Sequence, residues 1–165
     1  MKRIGLLSDT HSYINPKISG FFAECDEIWH AGDIGDLETA KILASIKPLK
    51  AVIGNIDGND LKSFYPPFQE FMCEDIKVLM LHTGGYPGKY SAEARQLIKE
   101  IAPALFITGH SHILKVINDP KNKLLHINPG AAGKQGFHEI STVVRFTIDG
   151  ADIRDLEIME MPKKQ

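Results

Sequence analysis

The chain has little cysteine and almost no net charge. Two cysteines in 165 residues, Cys25 and Cys73, lie far apart without C-x-x-C spacing. That leaves no disulfide framework and points to two thiols in a reducing compartment. A formal net charge of -2, with 24% charged residues, argues against disorder and against a broad nucleic-acid surface, though not against local binding of a phosphate. Long apolar runs are missing too. The run after Met1-Lys2-Arg3 ends at Asp9, too short for a secretory signal or a membrane span, so a cytoplasmic protein is expected. No repeat, low-complexity segment or linker stands out. What is present suffices for a real core: 43% of residues are hydrophobic, and the length fits one domain, 1–165.

Strands and helices alternate in the first third. Residues 2–8 read as a buried strand, and Asn15-Pro16 as a helix start, with the helix running to about Glu24. A strand at 27–30 follows. Asp36 is placed to cap a helix whose apolar side is Leu37, Ala40, Ile42, Leu43 and Ile46, ended by Pro48, with a third strand at 49–53. These are parallel β-α-β units. Tyr65-Pro66-Pro67 breaks the rhythm before a strand pair at 69–73 and 77–81. Ser91 caps a helix to about Ile101 with Leu97, Ile98 and Ile101 inward, and 105–108 is another strand. Hairpins at 114–128 and 142–159 follow, and Met161–Gln165 reads as a frayed tail. Helices early and hairpins late predict an α/β fold of two face-to-face mixed sheets with helices outside.

Five apolar runs each end in residues of metal-binding type. They are Ser8-Asp9-Thr10-His11, His30-Ala31-Gly32-Asp33, Gly54-Asn55-Ile56-Asp57, His82, and Gly109-His110-Ser111-His112. Ligands at strand ends are held by a rigid sheet yet open to substrate. Asp9, His11, Asp33, Asn55, His82, His110 and His112 form the ligand set of a two-metal hydrolase. Two close divalent ions need a bridging oxygen ligand, and Asp33 is central in the series. Imidazole mixed with oxygen suits Mn, Fe, Zn or Ni more than Mg or Ca, with Mn preferred. His110 and His112 are two apart, as are Asp9 and His11, and residues so spaced in a strand share a face. Gly32, Gly54 and Gly109 directly precede ligands and are expected to let the backbone leave the strand. His30 either orients a ligand or is simply buried. His126 reads as structural or exposed. His138 is a candidate to reach substrate, and Lys134 and Gln135 either meet a phosphate oxygen or sit in a solvated loop.

In order and spacing, these blocks resemble the calcineurin-like metallophosphoesterase superfamily. The short length and Asn128-Pro129-Gly130 are similar to its small YfcE-like phosphodiesterase branch, over about Lys2 to Glu160. The resemblance implies a four-layer α/β/β/α sandwich of two mixed β-sheets flanked by helices. It places Asp9, His11, Asp33 and His112 on one ion, and Asp33, Asn55, His82 and His110 on the other. Asn55, Asp57, His82 and His110 are the expected catalytic group. The implied reaction is hydrolysis of a small phosphodiester by attack of a metal-bridging hydroxide. Two departures stand out. Ile56 occupies the position where many members have a proton-donating His, and His82-Thr83-Gly84 replaces a common His-x-His. Alternatives are a phosphomonoesterase or nuclease on the same metals, for which no basic Lys/Arg cluster is obvious. Another is a non-enzymatic scaffold like the retromer subunit of eukaryotes that resembles this fold. A homo-oligomer is possible, and no membrane partner is expected.

Overall fold

The computed structural model describes residues 1–163. Strand β1 (Lys2–Leu7) is followed by α1 (Lys17–Phe21), β2 (Glu27–His30), α2 (Leu37–Ile46), β3 (Leu49–Ala51) and α3 (Asn59–Lys62). Then come β4 (Phe68–Cys73), β5 (Ile76–Leu81), the short β6 (Gly85–Tyr86) and β7 (Lys89–Tyr90), α4 (Ala92–Ile101) and β8 (Leu105–Ile107). The chain closes with β9 (Leu114–Asp119), β10 (Leu124–Pro129), β11 (Ile140–Asp149) and β12 (Asp152–Pro162).

Two five-stranded mixed sheets result, in the orders β12-β11-β1-β2-β3 and β4-β5-β8-β10-β9. In the first, β1, β2 and β3 are parallel. In the second, β5, β8 and β10 are parallel. Alternation along the strands builds the layers. Ile4 and Leu6 of β1, Val78 and Met80 of β5, and Leu105 and Ile107 of β8 share one core with Trp29, Val144 and Phe146 between the sheets. The opposite faces meet helices. Leu7 and Ile28 pack with Ile18, Phe22 and Leu43, and Leu79, Leu81 and Phe106 pack with Ala94 and Ile98 of α4. Each fully buried Leu, Ile or Phe contributes about 1.5–3 kcal/mol against exposure. The expected four-layer sandwich is therefore the observed one.

Capping follows the sequence closely. Asp36 Oδ1 accepts from Thr39 N at 2.8 Å, and Ser91 Oγ from Ala94 N at 3.1 Å. Several local expectations differ. The first helix stops at Phe21 rather than Glu24, because Phe22 is drawn under β1, where a β-carbon on Gly5 would lie 2.6 Å from its ring. Asn15 makes a local turn, accepting from Lys17 N at 2.9 Å, while Pro16 stands at the cap. Ile42 is 43% exposed and does not belong to the apolar face of α2. Helix α3, β6 and β7 were not foreseen. Met161 is no tail: it pairs in β12 and is buried against Phe22 and Val143, whereas Lys164 and Gln165 lie outside the described residues.

Candidate metal centre

The parallel strands of both sheets release their loops toward one edge, where the sequence blocks meet. Beyond β1 and β8, Asp9 Oδ1 lies 3.3 Å from His112 Nε2 and 3.9 Å from His11 Nε2. Beyond β2, β3 and β5, Asp33 Oδ2 lies 3.3 Å from His82 Nε2. Asn55 Oδ1 is 3.1 Å from His82 Nε2 and 3.2 Å from His110 Nδ1. These contacts define two clusters, Asp9–His11–His112 and Asp33–His82–His110, each with ligand atoms within 4.8 Å of one another. The clusters adjoin. Asp33 Oδ2 is also 3.5 Å from His11 Nε2, so one carboxylate oxygen faces both.

The chemistry of these atoms fits divalent cations. Asp9 is fully buried, and its Oδ2 accepts from Ser8 Oγ at 2.7 Å and His110 N at 3.1 Å, leaving Oδ1 without a donor. His11 Nε2 is buried and unpartnered as well. An unmatched carboxylate oxygen beside an unmatched imidazole is costly in a dry site unless a cation joins them. His82 Nδ1 lies 2.8 Å from Ala31 O, which can only accept; Nδ1 therefore carries the proton, and the Nε2 lone pair faces Asp33 and Asn55. Burial pushes Asp9 upward, but His112, His82 and Ser8 outweigh it and hold the carboxyl below its usual range. Asp33 behaves alike: burial raises it, and His82 with the Ile56 N–H brings it lower. For His82 burial lowers the imidazole, while Asp33 and Asp9 raise it above the ordinary value. The mixed N/O donor set matches transition-metal preferences.

The loops reach this geometry through strained backbone. Asp9, His11, Asp33, His110 and His112 all have positive φ, between 45° and 72°. Such conformations cost roughly 1–3 kcal/mol each and persist where the surroundings enforce them. The expectation that Gly32, Gly54 and Gly109 free the backbone holds only for Gly32, at φ 104°. Gly54 and Gly109 serve space. A β-carbon on Gly54 would collide with Asp33 Oδ1, and one on Gly109 with Ser8 Oγ. The shared-face argument for His110 and His112 also fails, since β8 has ended and the turned backbone sends the rings to different clusters.

Several supporting residues complete the loops. Asp57 is buried and accepts from Ile34 N, Gly35 N and Gly54 N at 3.2, 2.9 and 2.8 Å, tying the Asp33 loop to the Asn55 loop. His30 is fully buried; its Nδ1 accepts from Gly32 N at 3.0 Å and its Nε2 meets Thr10 Oγ1 at 2.9 Å. Burial pushes it down to about 3, so it stays neutral while linking the two ligand loops. Asn128 Nδ2 donates to Gly109 O at 3.0 Å and Ser111 Oγ at 3.1 Å, bracing the His110 turn. Ser8 and Thr10 carried no sequence signal of their own beyond adjacency to Asp9.

Above the clusters lies an open cleft of about 590 Å³, lined by His11, Asp33, Asn55, His110 and His112 together with Ile56, Ser111, Ile113, Gly136, Phe137 and His138. His82 is buried beneath it, 2% exposed. His138 reaches the cleft, with Nε2 2.9 Å from Gly133 O and its ring edge-on to His112. Lys134 and Gln135 are not part of the lining; Lys134 Nζ sits 4.4 Å over the Tyr13 ring. His126 is fully buried, 3.0 Å from Thr108 Oγ1, and burial lowers it to about 4.

Comparison with known proteins agrees with this geometry. Residues 1–151 match the family model of the calcineurin-like phosphoesterase superfamily domain. Over 135 residues the chain is 35% identical to a protein named probable metallophosphoesterase from Methanocaldococcus jannaschii, covering 78% of this chain and 67% of that one. This chain belongs to the calcineurin-like phosphoesterase superfamily. Among solved structures, one described as a novel archaeal phosphodiesterase superposes with a TM-score of 0.75 at 21% identity, covering 95% of this chain and 99% of that one. Vps29 of Chaetomium thermophilum superposes with a TM-score of 0.77 at 16% identity, covering 97% and 95%. No helix among the described residues is long and apolar enough to cross a membrane.

Proposed function

We propose that this chain is a dinuclear metal-dependent phosphodiesterase. The observation that carries the reading is Asp33 Oδ2, 3.5 Å from His11 Nε2 and 3.3 Å from His82 Nε2, where one oxygen serves two ligand clusters. Asp9, His11, Asp33 and His112 would hold one ion; Asp33, Asn55, His82 and His110 would hold the other. Mn is the preferred metal and Ni, Zn or Fe the alternatives. When bound, two such ions supply a nucleophilic water at neutral pH and stabilise charge on phosphoryl oxygens. The protein's own groups do the rest. Asn55 and His110 face the cleft and orient the phosphoryl group, and His82 fixes Asn55 from below. Asp57 holds the two loops in register and is a positioning residue, since its carboxylate is occupied by three backbone N–H groups. Ile56, 47% exposed at the cleft, cannot donate a proton, so leaving groups of low pKa are favoured.

A diester is favoured over a monoester by charge. Among the described residues the cleft lining contains no Lys or Arg to meet the second negative charge of a monoester, while Ile56, Ile113 and Phe137 offer apolar surface to ester substituents. The archaeal phosphodiesterase neighbour supports the same choice. The likeness to Vps29 favours a second reading, a protein-interaction scaffold. A panel with Mn, Ni, Zn, Fe and Mg against diester and monoester substrates separates them: metal-dependent diester hydrolysis is expected, and none with any metal leaves the scaffold.

A further inference from the structure

The rim of the cleft is apolar in a way the metal clusters do not require. Phe137 is as exposed as a free side chain, at 106%, while Ile56 is 47% and Ile113 56% exposed, and all three line the same opening. Each comes from a different loop. Ile56 follows Asn55, Ile113 follows His112, and Phe137 follows Gly136, which crosses directly over the His112 ring. Gly136 has φ 117° and no room for a β-carbon against His112 Nδ1, so Phe137 is held out above the cleft by a backbone that other residues would resist. The loop is anchored behind it through His138 Nε2 on Gly133 O at 2.9 Å and Lys163 Nζ on Gly136 O at 2.9 Å. Isolated exposed apolar residues need no explanation, but three converging on one polar-floored cleft mark a ligand-binding groove.

We propose that Ile56, Ile113 and Phe137 form a subsite for an aromatic substituent of the phosphodiester, with Phe137 as the stacking residue that sets substrate preference. The inference rests on the phosphodiesterase reading for what occupies the floor of the cleft. An aromatic ring matches a Phe face and two aliphatic side chains, and it carries no charge for which this wall lacks a partner. A sugar or short alkyl substituent would leave the same surface wet.

The test compares pairs that differ only in the substituent. For turnover, phenyl p-nitrophenyl phosphate is set against methyl p-nitrophenyl phosphate. In both, water adds to phosphorus and the bond to p-nitrophenolate breaks, so the leaving group is constant. For affinity, diphenyl phosphate is set against dimethyl phosphate by calorimetry on Mn-loaded protein. Phe137→Ala is expected to cut kcat/KM for the phenyl diester roughly tenfold while moving the methyl diester less than about twofold, with Phe137→Tyr restoring the preference. Diphenyl phosphate should bind the parent roughly tenfold more tightly than dimethyl phosphate, and Phe137→Ala should erase most of that gap. Equal affinities in the parent, or a phenyl preference unchanged in Phe137→Ala, overturn the subsite. Absence of p-nitrophenol release with every metal counts against the phosphodiesterase reading alone, because the affinity comparison needs no turnover. Phe137 is fully exposed, so its substitution leaves the core intact.

Discussion

The two ligand clusters are built from similar residues in unlike settings. Asp9 of the first is fully buried and braced by Ser8 and the His110 amide, and the shared Asp33 lies against the same cluster through His11. The second is built on the shared Asp33, with Asp9 Oδ1 also near it, 3.8 Å from His82 Nε2. Its other oxygen donor is the neutral Asn55, which is exposed, as is His110. Each carboxylate lies within 3.8 Å of a histidine of either cluster, so net charge separates the two little and exposure separates them more. The cluster built on fully buried Asp9 is expected to hold its ion the tighter, and the one that includes exposed His110, beside exposed Asn55, to exchange its ion and meet substrate.

The largest effect should come from erasing what the clusters share. Asp33→Asn removes the common charge while keeping shape, so metal content after Mn loading should fall well below two equivalents and diester turnover by orders of magnitude, with folding retained by circular dichroism. Turnover within a few-fold of the parent at saturating Mn would mean that Asp33 does not join the sites. Next comes the open side. Ile56→His places an imidazole beside Asn55 where the existing side chain is already 47% exposed, so little repacking opposes it. It should accelerate alkyl diesters by up to roughly 10²-fold and aryl diesters much less. The slope of log rate against leaving-group pKa measures this, and a shallow slope in the parent would point to an acid already present, His138 first.

A finer comparison sets Asp9→Asn against Asn55→Ala. Calorimetric titration with Mn should show the tight step lost in the first variant and the weak step lost in the second. Identical losses would erase the distinction between the clusters. The smallest effect is on stability. Stripping the ions with a chelator removes about 2.7 kcal/mol for each ion that was present at 100 times its Kd, which lowers the Tm by roughly 5–10 °C per ion at this chain length. No shift on adding Mn back would argue that neither cluster takes up an ion.

Where sequence reading succeeded, the cause was local. Asp36 and Ser91 cap helices because an oxygen three residues before an amide needs no distant partner. Strands β1, β5 and β8 are legible because each is a short apolar run, and nearly every residue of those runs is buried. Where it failed, the decisive contact came from afar. Helix α1 ends early because Phe22 packs under Gly5. Met161 is buried because β12 pairs along its whole length with β11. The Ile34 and Gly35 N–H groups that Asp57 accepts likewise come from a loop distant in sequence.

The chain's sequence by itself determined which side chains are available as ligands, in what order, and at the ends of which strands. Those properties reside in residue type and short-range periodicity. Only the tertiary structure decided the distances from Asp33 to both clusters, that five of the candidate ligands sit at positive φ, that Gly54 and Gly109 are needed for space, and that an apolar rim stands over the site. Each of these depends on the approach of segments distant in sequence, such as the His110 amide on Asp9 across 101 residues. Such distances are set by how two sheets pack, and no local pattern encodes them.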